Sequence, residues 1–72
     1  MVTKLQFAEN GIRDMFLSEQ YRGRVPINDV VHILDSPRWN KFYGESNVRK
    51  AWIGLVKGNY VRKSGKYWLW VM

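Results

Sequence analysis

Eight of the twelve basic residues fall in the second half of the chain, and their spacing is its feature best suited to chemistry. Residues 36–72 carry Arg38, Lys41, Arg49, Lys50, Lys57, Arg62, Lys63 and Lys66 against Glu45 alone, whereas residues 1–35 hold four basic and five acidic side chains. The formal charge of +6 therefore joins a slightly acidic half to a strongly basic one. Charge segregated in this way suits one face to a polyanion; a solvated basic surface without a partner is the other reading. Bond-making chemistry has no comparable basis. The six carboxylates are scattered, and none is paired at a spacing suited to general acid–base work. His32, Asp35 and Ser36 are near neighbours, but adjacent positions on one helix project outward together, and a triad needs members converging from different elements. There is no glycine-rich phosphate loop. With no cysteine and one histidine, neither a disulfide framework nor a thiolate or imidazole metal cluster can form, so no catalytic residue, metal or cofactor is expected.

These residues must be positioned by a single small domain spanning residues 1–72, with a core so limited that most apolar positions contribute to it. Thr3 and Gln6 have capping-box spacing, and Leu5, Ala8, Ile12, Met15 and Phe16 recur along one helical face. This helix is expected to end between Gln20 and Gly23, with a kink or restart near Asn10-Gly11 and a supporting Glu9–Arg13 pair. Arg24 to Ile27 contains Pro26 and suits a brief edge strand. Asn28 is placed to cap a second helix carrying Val30, Ile33 and Leu34, which Pro37 stops near Asp35-Ser36. Ser36-Pro37 is suited to capping one further turn with Arg38, Trp39 and Phe42. Val48, Ala51, Trp52, Leu55 and Val56 give the cleanest helical period, opened by Ser46 and closed by Gly58 as a left-handed cap. Asn59–Lys63 and Lys66–Met72 then read as strands joined at Ser64-Gly65.

The order helix, strand, helix, helix, strand, turn, strand resembles the winged-helix branch of the helix-turn-helix proteins. The resemblance covers nearly the whole chain. It is carried best by Leu55-Val56-Lys57-Gly58-Asn59-Tyr60-Val61-Arg62 followed by Ser64-Gly65-Lys66-Tyr67-Trp68-Leu69, where a third helix closes on glycine and a basic wing returns to a Tyr-x-Leu strand. It implies an α+β winged helix-turn-helix fold of three helices and a small antiparallel sheet ending in a β-hairpin wing. The Ser36–Glu45 connection is longer than the usual tight turn, and the third-helix Tyr and paired wing prolines of the Z-form-binding members are missing.

The resemblance makes the third helix a recognition helix, with Asn47, Arg49, Lys50, Ile53 and Lys57 opposite its apolar stripe and Gly54 leaving room for close approach to a duplex. Ile53 would meet a thymine methyl or a neighbouring protein. Arg62, Lys63 and Lys66 would follow phosphates, or alternatively guard a hairpin edge; Arg38 and Lys41 would add backbone contacts or remain solvated. The hairpin pairing expected here sets Lys63 opposite Lys66 and Val61 opposite Trp68, grouping Val61, Trp68, Trp70 and Met72 on one face and Tyr60, Tyr67, Leu69 and Val71 on the other. With the Tyr67/Leu69 face inward, Trp68 and Trp70 form a candidate homodimer interface; with the Trp face inward they do not. The expected partner is double-stranded DNA, in a transcriptional regulator or architectural factor of viral or mobile-element type. An interaction domain whose basic face binds an acidic protein surface, such as the transcription machinery, is the alternative, and single-stranded nucleic acid or RNA stacking on exposed aromatics is a third reading. No small-molecule substrate is expected. Neither a membrane span nor a secretory signal is legible, so a cytoplasmic setting, or a nuclear one in eukaryotes and their viruses, is expected.

Overall fold

Thr3 opens α1 (Lys4–Phe16) with a complete capping box, its hydroxyl accepting from the Gln6 amide at 3.1 Å and its own amide donating to Gln6 Oε1 at 3.0 Å. The computed structural model describes residues 3–71. They form four helices and a three-stranded antiparallel sheet in the order α1, β1 (Arg24–Pro26), α2 (Ile27–Leu34), α3 (Pro37–Tyr43), α4 (Glu45–Lys57), β2 (Val61–Ser64) and β3 (Tyr67–Trp70). The α+β class is as expected; the number of helices is not. The long connection after α2 is a helix in its own right, started by Pro37 at its first turn and by Ser36, whose hydroxyl accepts from the Trp39 amide.

Helix α1 runs unbroken through Gly11 and stops at Phe16, where its apolar periodicity ends and short of the expected end at Gln20 to Gly23. Gly11 is needed for proximity, not for a kink. A Cβ there would overlap the Tyr43 ring and hydroxyl, so the missing side chain lets α3 lie against α1. Glu9 and Arg13 form no ion pair: Glu9 lies toward α4, and Arg13 is instead 3.8 Å from Asp14. Residues 17–23 turn the chain, and the Tyr21 hydroxyl donates to Asp29 Oδ2 at 2.9 Å, fastening that turn to α2. Burial pushes the Tyr21 pKa up, and the hydrogen bond to Asp29 and its charge add to this, keeping the donor proton in place.

Two expected N-caps lie two residues earlier in the chain, at Pro26 and Gly44. Helix α2 begins at Ile27 behind Pro26, so Asn28 lies inside it and makes no cap, while Asp29 still occupies the acidic first-turn position. Helix α4 begins directly behind Gly44, without a serine cap from Ser46. At its other end Gly58 keeps an ordinary φ of −81°, and Asn59 takes the left-handed conformation at φ 61°. Asparagine tolerates that region better than most residues, so the motif survives one position later.

The sheet order is β1-β3-β2, with Pro26 on an edge strand where its missing amide costs little. The hairpin turns at Gly65-Lys66, not Ser64-Gly65, and pairs Val61 with Trp70, Arg62 with Leu69, Lys63 with Trp68 and Ser64 with Tyr67. This register differs from the expected one by two residues, so each side chain keeps its face. Val61, Trp68 and Trp70 share the inward face, and Met72 lies outside the described residues.

The core joins Ala8, Ile12 and Phe16 of α1, Val25 of β1, Val30 of α2, Ala51 and Leu55 of α4 and Val61 of β2. Phe16 is its centre. Fully buried, it lies 6.1 Å from Trp52 in near-parallel stacking and 5.8 Å from Trp70, while Trp68 meets Trp52 edge-on at 4.9 Å. Among the described residues no helix is long and apolar enough to cross a membrane. Phe16→Ala is expected to cost about 3–5 kcal/mol, comparable to the whole stability of a domain this small. Urea denaturation of the variant, followed by tryptophan emission, measures the loss. A midpoint close to that of the parent would show that the core does not depend on Phe16.

Candidate nucleic-acid interface

Helix α4 buries Val48, Ala51 and Leu55 and half-buries Trp52 and Val56, and this fixes what its other side presents. Arg49, Lys50, Ile53 and Lys57 are all exposed, as the 3.6-residue period requires, and Ile53 is an apolar residue left in solvent among cations. Asn47 departs from this face. It is half-buried, and its amide donates to the Tyr43 carbonyl at 2.8 Å, satisfying the end of α3. The side chain expected to meet a base is thus engaged within the fold through its amide nitrogen. The reason is local: α4 follows α3 after Gly44 alone, and this short link brings residue 47 under the last turn of α3. Gly44 has φ 99°, a conformation costly for any residue with a Cβ, and a Cβ there would also press on the Asn47 amide. Gly54 also departs from the expected role. A Cβ at that position would lie 3.9 Å from a Glu9 carboxylate oxygen of α1, so the gap it leaves is beside a negative charge.

Arg49 Nη2 reaches Asp35 Oδ1 at 3.0 Å across from the end of α2. Both side chains are more than 60% exposed, so this bridge contributes little to stability and leaves the guanidinium available to a stronger anion. It also resolves the suggestive His32, Asp35 and Ser36 grouping. Asp35 pairs with Arg49, Ser36 caps α3, and His32 is solvent-exposed. No relay joins the three. Among the described residues no three His, Cys, Asp or Glu side chains are grouped as a metal site would need.

The hairpin cations do not share one face. Lys66 lies in the turn, Lys63 pairs with Trp68 on the inward-facing side, and Arg62 pairs with Leu69 on the outer side. All three are exposed. On the outer face Arg62, Leu69 and Arg24 form a row across the three strands, and the Arg24 guanidinium stands 4.6 Å from the Tyr67 ring centre. Arg24 was not legible as a site residue, because only the pairing of β1 with β3 brings it beside the hairpin. Arg38 and Lys41 lie on α3, exposed beside Phe42, not in a loop.

Trp68 and Trp70 are half-buried against the core. Of the two orientations open to the hairpin, the Trp face is the inward one, so Trp68 and Trp70 do not form the exposed patch that a dimer through them would need. With Phe16 and Trp52 beneath the sheet, the aromatic side of the hairpin is the one that gains most from facing inward. No family model matches the chain, and no curated protein or solved structure is detectably similar to it.

Asn47→Ala should lower stability by about 1 kcal/mol through the lost hydrogen bond to Tyr43. Chemical denaturation reads the change, and an unaltered midpoint would return Asn47 to the set of residues free to meet a ligand.

Proposed function

We propose that this chain is a winged helix-turn-helix domain that binds double-stranded DNA, with α4 in the major groove and the β2–β3 hairpin beside the phosphates. The reading is carried by one observation above all: the exposed side of α4 bears Arg49, Lys50, Ile53 and Lys57. Cations on the exposed side of a helix whose opposite side is held in the core are what groove entry needs, and Ile53 among them suits a thymine methyl. The topology supports the same reading. A small antiparallel sheet that ends in a basic hairpin is what the winged-helix resemblance implies, and the three strands, in the order β1-β3-β2, are compatible with it. In this reading α3 is an added helix between the second helix and the recognition helix.

The roles divide by chemistry. Arg49 and Lys50 donate to base edges or to phosphates at the groove, and Lys57, Lys63 and Lys66 neutralise phosphates on either side. Arg62 and Arg24, on the outer sheet face, stand further from such a duplex. A transcriptional regulator or architectural factor is the functional class that this docking serves.

Fluorescence anisotropy with random and mixed-sequence duplexes, at several salt concentrations, tests the proposal. With about five phosphate contacts, log affinity should fall with log salt at a slope of about −4 to −5. Lys63→Ala with Lys66→Ala should flatten that slope by about one unit per contact and weaken all sequences alike. An affinity indifferent to salt would reject duplex binding and favour an acidic protein surface as the ligand of this face.

Asp35→Asn offers an independent check. Removing the carboxylate frees Arg49 and deletes a negative charge beside α4, so duplex affinity should rise about threefold to tenfold while stability changes by less than about 1 kcal/mol. Unchanged affinity in this variant would remove Arg49 from the interface.

A further inference from the structure

A second surface, built from α1 and α3, shares no residue with the proposed DNA face. We propose that the Phe7–Phe42 patch, with Arg38 and Lys41 at its rim, docks an acidic protein segment bearing an apolar anchor side chain. This inference goes beyond the duplex reading and does not depend on it.

Phe42 is 66% exposed and Phe7 47%, although both are large apolar side chains. Their rings lie 5.6 Å apart, Tyr43 stands 4.8 Å from Phe42 and 5.1 Å from Phe7, and Trp39 is 5.1 Å from Tyr43. The rings thus form one continuous aromatic surface, with an open cleft lined by Arg38, Trp39, Phe42 and Tyr43. Folding does not account for Phe42, which projects with Arg38 and Lys41 from the side of α3 that faces away from the core. Contiguous exposed aromatics bounded by charge mark a contact surface.

Charge selects the occupant. Arg38 and Lys41 are both exposed beside Phe42, where they are placed to meet carboxylates from outside. A second copy of this chain would bring the same two cations against themselves across a two-fold axis, in a protein already at +6. Single-stranded nucleic acid would supply negative charge, but base stacking wants an open ring face. Here Tyr43 meets Phe42 edge-on and Phe7 tilts 37° to it, leaving a cleft where stacking needs a platform. A cleft between Phe42 and Trp39 suits one aliphatic or aromatic side chain, and the rim suits its acidic flanks.

The test is an amide and indole NMR titration of the whole chain with a synthetic peptide alternating aspartate with leucine and phenylalanine. An aspartate–serine peptide of equal charge and a short oligo(dT) serve as comparisons. The expected result is a set of shifts at Phe7, Arg38, Phe42 and the Trp39 indole, produced by the apolar-acidic peptide alone. Phe42→Ser should weaken that binding about tenfold, as for loss of one anchor, and the R38E/K41E variant should abolish it. All three substitutions are at exposed positions, and unchanged circular dichroism confirms that each variant is folded. The proposal is overturned by any of four results: no shifts at the patch, equal shifts from the aspartate–serine peptide, tighter binding of oligo(dT) there, or patch shifts that depend on protein concentration alone.

Discussion

The packing of Phe16 against Trp52 and Trp70 sets the geometry on which the rest of the molecule depends. Phe16 ends α1, Trp52 lies on the inner side of α4, and Trp70 ends β3, so one buried ring sets three elements against each other. Trp68, edge-on to Trp52, adds a second point of attachment between sheet and helix. Two attachments between rigid rings fix an orientation, which one would not. The outward side of α4 and the direction of the hairpin are therefore set together, from within, by aromatic shape. In so small a domain few other groups could do this, because most of the remaining buried side chains are Ala and Val.

Electrostatics is then distributed over a scaffold that does not need it. The Arg13–Asp14 and Arg49–Asp35 pairs are both exposed and contribute little to folding. The basic residues are free to be arranged for partners, and they fall into separate groups on α4, at the hairpin turn, on the outer sheet face and around Phe42. A charge count over the second half of the chain merges these groups. The folded chain divides them, because the Arg62 and Lys63 side chains leave a strand in opposite directions and Arg38 belongs to a helix packed on another part of α4.

Most elements were legible in the sequence because they obey local rules. Thr3 and Gln6 announce the start of α1, Pro26 an edge strand, and the spacing of Val48, Ala51, Trp52 and Leu55 a helix with one apolar side. What escaped local rules was decided by distant partners. Asn47 has the right side chain for a base contact, but the single-glycine link to α3 turns it inward. Trp68 and Trp70 fit either face of a hairpin until Phe16 and Trp52 occupy one of them. Arg24 acquires neighbours only through the pairing of β1 with β3. The register error had little effect, since a displacement of two residues preserves the alternation of faces.

The close approach of α1 and α3 at Gly11 has an evolutionary consequence. The absent side chain at position 11 and the ring at position 43 fill one space between them, so neither can be exchanged freely on its own. Among descendants of this chain, a larger residue at position 11 keeps the same helix spacing beside a smaller one at position 43, or with the Tyr43 ring swung aside. The two positions are separated by the whole of β1 and α2, yet selection will treat them as one heritable unit of volume. Tyr43 also stands among the rings that border Phe42, so drift at a half-buried glycine would reach, through that ring, an exposed surface on the neighbouring helix.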